Sequence, residues 1–375
     1  MTPDWKTLES RLGVEGLEDF NQREVVARLE DLEATSDIES HQKAIKALSG
    51  AFGFAFFGFF ICFSVLAMAV PDYWWTIVLK FVLFPVMFFG FLAIAAFLKR
   101  DTLMKVLFRA QETFIVRSAA LTSLAEKLGL TYVPAPGGAP ESLKALAKLK
   151  FLSKRLNALT DLLDAHGGQE DTVEAAIASG LIVPDTVVLG SEEDKARFYR
   201  QTAMGQAFED GFEGQIGDIR FSAMEWIETV DEAPDRYHLL VALKAPFRLQ
   251  GVTQFRARKT PWPKHPDEGR LEDVDLVPDT FNAHFRLRSS DQVEARTLFH
   301  PAVVERVLAL AHGDPFRAVA QGNWLLIDIV GDNRFNLVDI RTGVWSHDTI
   351  RQTYEDIADL REFVEIMAHA FTLRE

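Results

Sequence analysis

The sequence predicts a membrane α-helical hairpin joined to a cytoplasmic α+β domain, whose mostly antiparallel sheet is backed by helices. Three observations predict it. Two long apolar runs lie close together between residues 47 and 98, Lys and Arg gather outside them, and hydrophobic alternation changes to period two after Gly214. The implied organisation is a cytoplasmic N-terminal helical segment (1–46), the hairpin (47–98), a helical stalk with a basic helix (99–166) and the α+β domain (167–375).

The hairpin rests on length and charge. From Ala47 to Pro71 no residue is charged, and Trp74 to Leu98 contains one charge, Lys80. About 20 apolar residues span a bilayer as a helix, so each run is long enough. Pro71-Asp72-Tyr73 between them is a tight turn, and Tyr73, Trp74 and Trp75 fit an aromatic belt at one membrane face. Lys43 and Lys46 precede the first span; Lys99, Arg100, Lys105 and Arg109 follow the second. The positive-inside rule puts both flanks, and both termini, in the cytoplasm, with Lys99 and Arg100 as interface anchors. Lys80 can snorkel to the far surface. Ala51, Ala55, Gly58 and Cys62 recur at helical spacing, a small-residue face that lets a second helix approach closely. Packing within the chain is the expected use, and a homo-oligomer contact the alternative. Ala67-Met68-Ala69 resembles a signal-peptidase site, but a second span follows it directly.

Composition narrows the function. The chain has 375 residues, 48% of them hydrophobic, and many of its 30 Phe lie between Phe52 and Phe97. A formal net charge of −14 argues against nucleic acid, which needs a basic surface to displace counterions. Cys62 is the single cysteine, so disulfides and a water-exposed thiolate site are not expected.

Before the spans, Leu17, Phe20, Val25, Val26, Leu29 and Leu32 form an apolar stripe on a helix too small to make its own core. It must dock on the C-terminal domain or pair with another copy. Asp101 to Leu128 reads as a helix with Gly129 as its cap. Pro134 to Pro140 is a loop, and Glu141 to about Ala165 a basic helix with Lys144, Lys148, Lys150, Lys154 and Arg155. Strands are expected from Ile219, from His238 to Lys244, over 247–258, over 281–287, from Phe316 to Gln321 and from Trp324 to Val330. Gly331-Asp332-Asn333 is a hairpin turn into a strand from Phe335 to Ile340. Asp291 caps a short helix, Pro301 opens a second, and Ile350, Tyr354, Ile357, Leu360, Val364 and Met367 share one face of the last.

Chemistry is sparse. The sequence has no phosphate-binding GxxxxGK[ST], no GxSxG and no HExxH. Gly211, Gly214 and Gly217 suit turns or a bulge. His265-Pro266-Asp267-Glu268 sits in a Pro-rich surface loop, and the adjacent Ser346-His347-Asp348 cannot form a relay. No catalytic residue, cofactor or metal is therefore expected. One candidate site remains. Arg248, Arg256 and Arg258, with Lys259, form a cationic strand face that could receive an anionic ligand.

The motif order is specific. Leu128-Gly129-Leu130-Thr131-Tyr132 leads to Gly180-Leu181-Ile182-Val183-Pro184, Phe212-Glu213-Gly214 and Gly217-Asp218-Ile219-Arg220-Phe221 with Glu225. Phe281-Asn282-Ala283-His284-Phe285-Arg286-Leu287 follows, with Asp291, Val293-Glu294-Ala295-Arg296 and Pro301 spaced after it. The chain thereby resembles the bacterial two-span membrane-protein family catalogued as domain of unknown function three-one-three-seven, most specifically over 205–330. Phe299-His300-Pro301 departs from the Leu-Thr-Pro-like segment expected there. The family has no assigned activity; it implies a multi-pass protein of the bacterial inner membrane. The leading expectation is a membrane-anchored binding or scaffolding protein that offers its cytoplasmic domain to a protein partner or anionic ligand. A membrane-tethered hydrolase and an accessory transporter subunit are the alternatives.

Overall fold

A computed structural model describes residues 4–34, 38–69, 86, 88–90, 95, 97, 99–134, 208–228, 236–260, 268–276, 280–339 and 344–372. The chain forms two compact units, one of residues 1–18, 121–336 and 347–375, the other of residues 19–120 and 337–346.

The larger unit is an α+β fold on one nine-stranded sheet. Its strands are β1 (Thr131–Pro134), β2 (Phe208–Ile216), β3 (Ile219–Glu228), β4 (Arg236–Lys244), β5 (Thr253–Ala257), β6 (Glu272–Val274), β7 (Phe285–Ser289), β8 (Phe316–Gln321) and β9 (Trp324–Gly331). They lie in the order β1-β2-β3-β4-β9-β8-β5-β7-β6, every pair antiparallel. Two of the three glycines act as expected: a register shift lies between Phe208 and Gly211, and Gly217 turns β2 into β3 with a φ of 56°, whereas Gly214 lies in regular register. A Cβ at Gly211 would lie 2.2 Å from the Ala223 carbonyl oxygen, so only glycine fits there.

Side chains alternate across a strand, and the core face carries Phe255, Phe285 and Phe316. Phe255 lies 5.1 Å from Phe316 and 5.2 Å from Phe299, and Phe285 5.8 Å from Phe316, between ring centroids. Helices close this core. Asp291 caps a helix at Gln292–Leu298, accepting from the N–H groups of Val293 (3.0 Å) and Glu294 (2.9 Å). Glu294 does not complete a capping box. Its carboxylate accepts instead from the Gln250 and Gly251 N–H groups at 3.0 and 2.7 Å. Pro301 opens the helix Pro301–Ala311, which packs along the last helix, His347–Thr372. The first helix, Trp5–Leu12, also docks on the last one.

Three expected elements change, and β1, β2 and β6 are additions. The strand over 247–258 shrinks to β5, with Arg248 in the loop before it. The strand over 281–287 begins with a helical turn, Thr280–His284. Asn282 explains the turn: its side chain accepts from the Leu276 N–H (2.9 Å) and donates to the Leu276 carbonyl (3.1 Å), imitating a strand partner. The segment after Gly331-Asp332-Asn333 does not return as a strand. Glu225, buried in β3, accepts from the Arg334 and Phe335 N–H groups, and among the described residues only the isolated bridge Val338–Trp345 follows. Finally, β1 was not expected; it pairs with β2 through Tyr132, whose hydroxyl donates to Asp210 at 2.7 Å.

In the second unit a π-helical stretch (Asn21–Val26) continues into the helix Ala27–Ala34. Val25, Val26, Leu29 and Leu32 are all buried, as their stripe demands. Arg109, on the helix Arg100–Lys127, donates to the Leu32 carbonyl at 2.8 Å. The expected single N-terminal segment is thus shared out, its first helix in the larger unit and residues 19–34 in this one. The helix Ile38–Ala69 contains the one stretch among the described residues that is long and apolar enough to cross a membrane. It runs from Lys46 to Ser64 with mean hydropathy 1.8 and is only 12% buried. Phe57 is 64% exposed, whereas Phe59 is closed and meets Phe88 at 5.3 Å. Most of the second apolar run, the turn with Tyr73, Trp74 and Trp75, Lys80 and the basic helix lie outside the described residues.

Glu225 gives this fold a direct stability test. Glu225→Ala strands two buried N–H groups, each costing about 1–3 kcal/mol. Urea unfolding of the detergent-solubilised protein should show a loss of about 3 kcal/mol, with Glu225→Gln losing less. A loss below about 0.5 kcal/mol would contradict the cap.

Candidate functional site

Opposite the phenylalanine core, the same alternation collects arginines. Arg256 of β5 is the cross-strand neighbour of Arg286 on β7 and of Arg317 on β8, so all three share one face. Arg288, two residues along β7, pairs across from Asp273 of β6. Like charges directly opposite destabilise a sheet, and carboxylates at both ends of this row offset that cost. Arg286 forks onto Asp273 through Nε and Nη2 at 2.8 and 3.0 Å, and Arg288 approaches the same carboxylate at 3.9 Å. The hydrogen bond from Arg286, with the charges of Arg286, Arg288 and Arg258, holds Asp273 below the usual carboxylate range although burial opposes it. Asp273 is 60% exposed, so this charge cluster opens to solvent.

The inner end of the face is more tightly compensated. Asp328 of β9 divides its two oxygens, Oδ1 to His238 Nδ1 and Oδ2 to Arg317, each at 2.8 Å. Burial penalises its charge, yet the His238 hydrogen bond and the Arg317 charge outweigh that and keep it ionised. His238 Nδ1 is accordingly the donor, and its ring lies 4.1 Å from that of Trp226.

The expected patch is partly assembled. Arg256 and Arg258 lie together, with Arg256 donating to the Thr260 carbonyl and Arg258 Nε to the Asn282 carbonyl at 2.6 Å. Lys259 is exposed in the following turn, and Arg248 is exposed before the strand. Arg286, Arg288 and Arg317 were missed because they lie on strands distant in sequence. Their signal was a repeated Phe-Arg pair, at 255–256, 285–286 and 316–317. Lys99 and Arg100 are exposed where the helix Arg100–Lys127 begins. Of the small-residue stripe, Ala55 is buried, Ala51 and Gly58 are half-buried and Cys62 is exposed; the closed side runs through Leu48, Ala55 and Phe59. Ser346-His347-Asp348 sits at the start of the last helix, and His265 to Asp267 lie outside the described residues. Among the described residues no group of three His, Cys, Asp or Glu could hold a metal ion.

A second cluster of ionisable groups gathers where the helix Pro301–Ala311 ends. His312 takes the left-handed conformation there, with a φ of 52°. Its Nε2 lies 2.7 Å from Asp359 and its Nδ1 3.6 Å from Asp356. Arg334 donates to the Leu310 carbonyl, contacts Asp314 at 3.1 Å and lies 3.7 Å from Asp356, a favourable place for a cation at a helix C-terminus. Burial lifts Asp356 to about 6 despite Arg334 and His312, and the hydrogen bond to Asp359 raises His312.

Comparison with known proteins places the arginine face. Residues 239–369 match the family described as "Protein of unknown function (DUF3137)". Over this segment the chain is similar to that family. The segment begins in β4 and ends within the last helix, so it holds every arginine of the face and the whole His312 cluster. The Leu128, Gly180 and Phe212 motifs lie before it. No curated protein matches the chain. A crystal structure titled as the mycobacterial trehalose monomycolate transport factor A, TtfA, covers 61% of this chain and 97% of its own, at 12% identity and a TM-score of 0.25. That score carries no argument about fold or function.

The His312 cluster sets a pH dependence. Asp356 and His312 both bind protons more tightly in the folded chain, so their contribution is full below their unfolded values and is lost as pH rises through the folded ones. Asp359, held low by His312 and Arg11 against burial, runs oppositely but acts below the ordinary 3.8. Stability should therefore fall as pH rises from about 4 to about 6, through Asp356, and fall further above the ordinary histidine value of 6.5, through His312. Urea midpoints across that range test it. Asp356→Asn should flatten the slope, and an unchanged slope would contradict the assignment.

Proposed function

We propose that the chain is a membrane-anchored binding protein whose DUF3137 segment presents an arginine-bearing sheet face to an oxyanion. The oxyanion is a phosphate or carboxylate carried by a ligand or partner protein. The observation that carries the reading is Asp273 itself. Its carboxylate sits in a guanidinium fork at 2.8 and 3.0 Å, 60% exposed, with Arg258 and Arg288 acting on the same charge. That is the bidentate geometry by which arginine recognises carboxylates and phosphates. A row of like charges costs stability, and such local conflicts gather at functional sites. The face also stands out on a chain whose formal charge is −14.

The anchor in this reading is the two-span hairpin with both termini cytoplasmic. The apolar helix between Lys46 and Ser64 and the contact of its Phe59 with Phe88 support it. Reporter fusions at Asp72 and at the C-terminus should report opposite sides of the membrane; the same side would sink the topology.

The binding face is tested with the full-length protein in detergent. Inorganic pyrophosphate and a poly-glutamate peptide serve as phosphate and carboxylate probes. Replacing Arg258, Arg286 and Arg288 by Gln should weaken binding of at least one probe tenfold or more and flatten its salt dependence. Neutralising Arg23, Lys43 and Arg296 instead should change little. Equal losses in both triple variants would mean unspecific charge attraction and overturn the proposal.

A further inference from the structure

The first helix, Trp5–Leu12, holds its place in a way that invites exchange. Trp5, Leu8 and Leu12, at i, i+3 and i+7, form its inner stripe, the anchor spacing of a helix laid in a groove. Leu8 and Leu12 are buried, and Trp5 stands edge-on to Tyr354 at 5.7 Å between centroids. Arg11 reaches across to the last helix, with Nε 2.9 Å from Glu362 and Nη2 on Asp359. Each carboxylate also has a second cation. Glu362 keeps Arg306 at 2.6 Å, and Asp359 keeps His312 at 2.7 Å. Withdrawing Arg11 therefore leaves no buried charge stranded, which is the term that makes most buried ion pairs costly to break.

Two further observations show an imperfect occupant. The Tyr354 hydroxyl, beside Trp5, is buried and makes no hydrogen bond among the described residues. Beside Leu12 a crevice of about 90 Å³ opens between Leu128, Leu130, Ile216, Phe221 and Ile357. Native interfaces rarely leave either defect. The helix is also hinged. Gly13 and Gly16 are both left-handed, with φ of 62° and 68°, and no atom lies within 4 Å of where a Gly16 Cβ would be. The hinge is closed by the Leu17 N–H on Glu9 and by Lys127 on the Glu15 carbonyl.

We propose that this helix is an in-cis plug in a helix-accepting groove on the last helix, and that its release frees the groove for a partner's amphipathic helix. The partner helix carries an aromatic, two leucine-like residues and an arginine at the spacing of Trp5, Leu8, Leu12 and Arg11. Its chemistry is read from the occupant already seated. A binding helix that also offered an acceptor to Tyr354 would outcompete the plug. The site is separate from the arginine face and does not depend on the reading given for it.

The experiment uses the full-length protein in detergent and a fluorescent peptide of residues 4–14. In wild type, amide exchange should release the first helix as a unit well before the last helix. In Arg11→Glu the first helix should lose protection, and the peptide should bind at least tenfold more tightly than to wild type. Adding Asp359→Asn and Glu362→Gln to that variant should abolish binding. Exchange of the first helix only together with the last would overturn the proposal without any variant. Equal peptide binding to wild type and Arg11→Glu, or binding that survives loss of both carboxylates, would overturn it as well.

Discussion

Antiparallel register at the β8-β5-β7 end of the sheet is the constraint on which the rest of this domain depends. Each strand carries a Phe-Arg pair, and period-two alternation sends the two residues to opposite faces. Pairing Arg256 with Arg286 and with Arg317 therefore sorts three phenylalanines into the helix-covered core and three arginines onto the other side. A one-residue slip would exchange the sets and bury unpaired guanidinium groups. The hydrophobic effect that fixes the core thus also fixes the charge row. That is why the row can persist despite its self-repulsion.

Carboxylates in this domain rarely serve one partner. Asp273 answers Arg286 and Arg288, Asp328 answers His238 and Arg317, Asp359 answers Arg11 and His312, and Glu362 answers Arg11 and Arg306. Sharing keeps buried charge paired when one contact is lost, so local rearrangement need not strand an ion. Like Glu294 and Asp291, Glu225 serves the backbone instead. It is spent on two backbone N–H groups and holds the chain after β9 in a path that the local sequence alone would not choose.

Much of this was legible in the residues. Alternation located the strand after Gly217 and those on either side of Gly322, and Asp291, Pro301 and Gly129 marked helix ends because capping chemistry is local. The misses share one cause, a partner distant in sequence. Asn282 folds back on Leu276 and turns an alternating run into a helical turn; Glu225 intercepts Arg334 and Phe335, which hairpin chemistry had assigned to a strand. The candidate site divides in the same way. Arg256 and Arg258 could be read from one strand, but Arg286, Arg288 and Arg317 join them only through the sheet order, which no single segment encodes. The Trp5 helix showed the opposite limit. The stripe read in the sequence began at Leu17, and only the fold revealed a separate first helix seated on the last one.

The central claim, that the arginine face is a receptor for oxyanions, is tested most directly by arginine-selective labelling with phenylglyoxal read out by mass spectrometry. In the free full-length protein Arg258 and Arg286 should react quickly and the buried Arg334 slowly. Pyrophosphate or poly-glutamate should then protect Arg258, Arg286 and Arg288 together, leaving Arg296 unchanged. Labelling that is indifferent to both anions, or protection spread evenly over all arginines, would contradict the account.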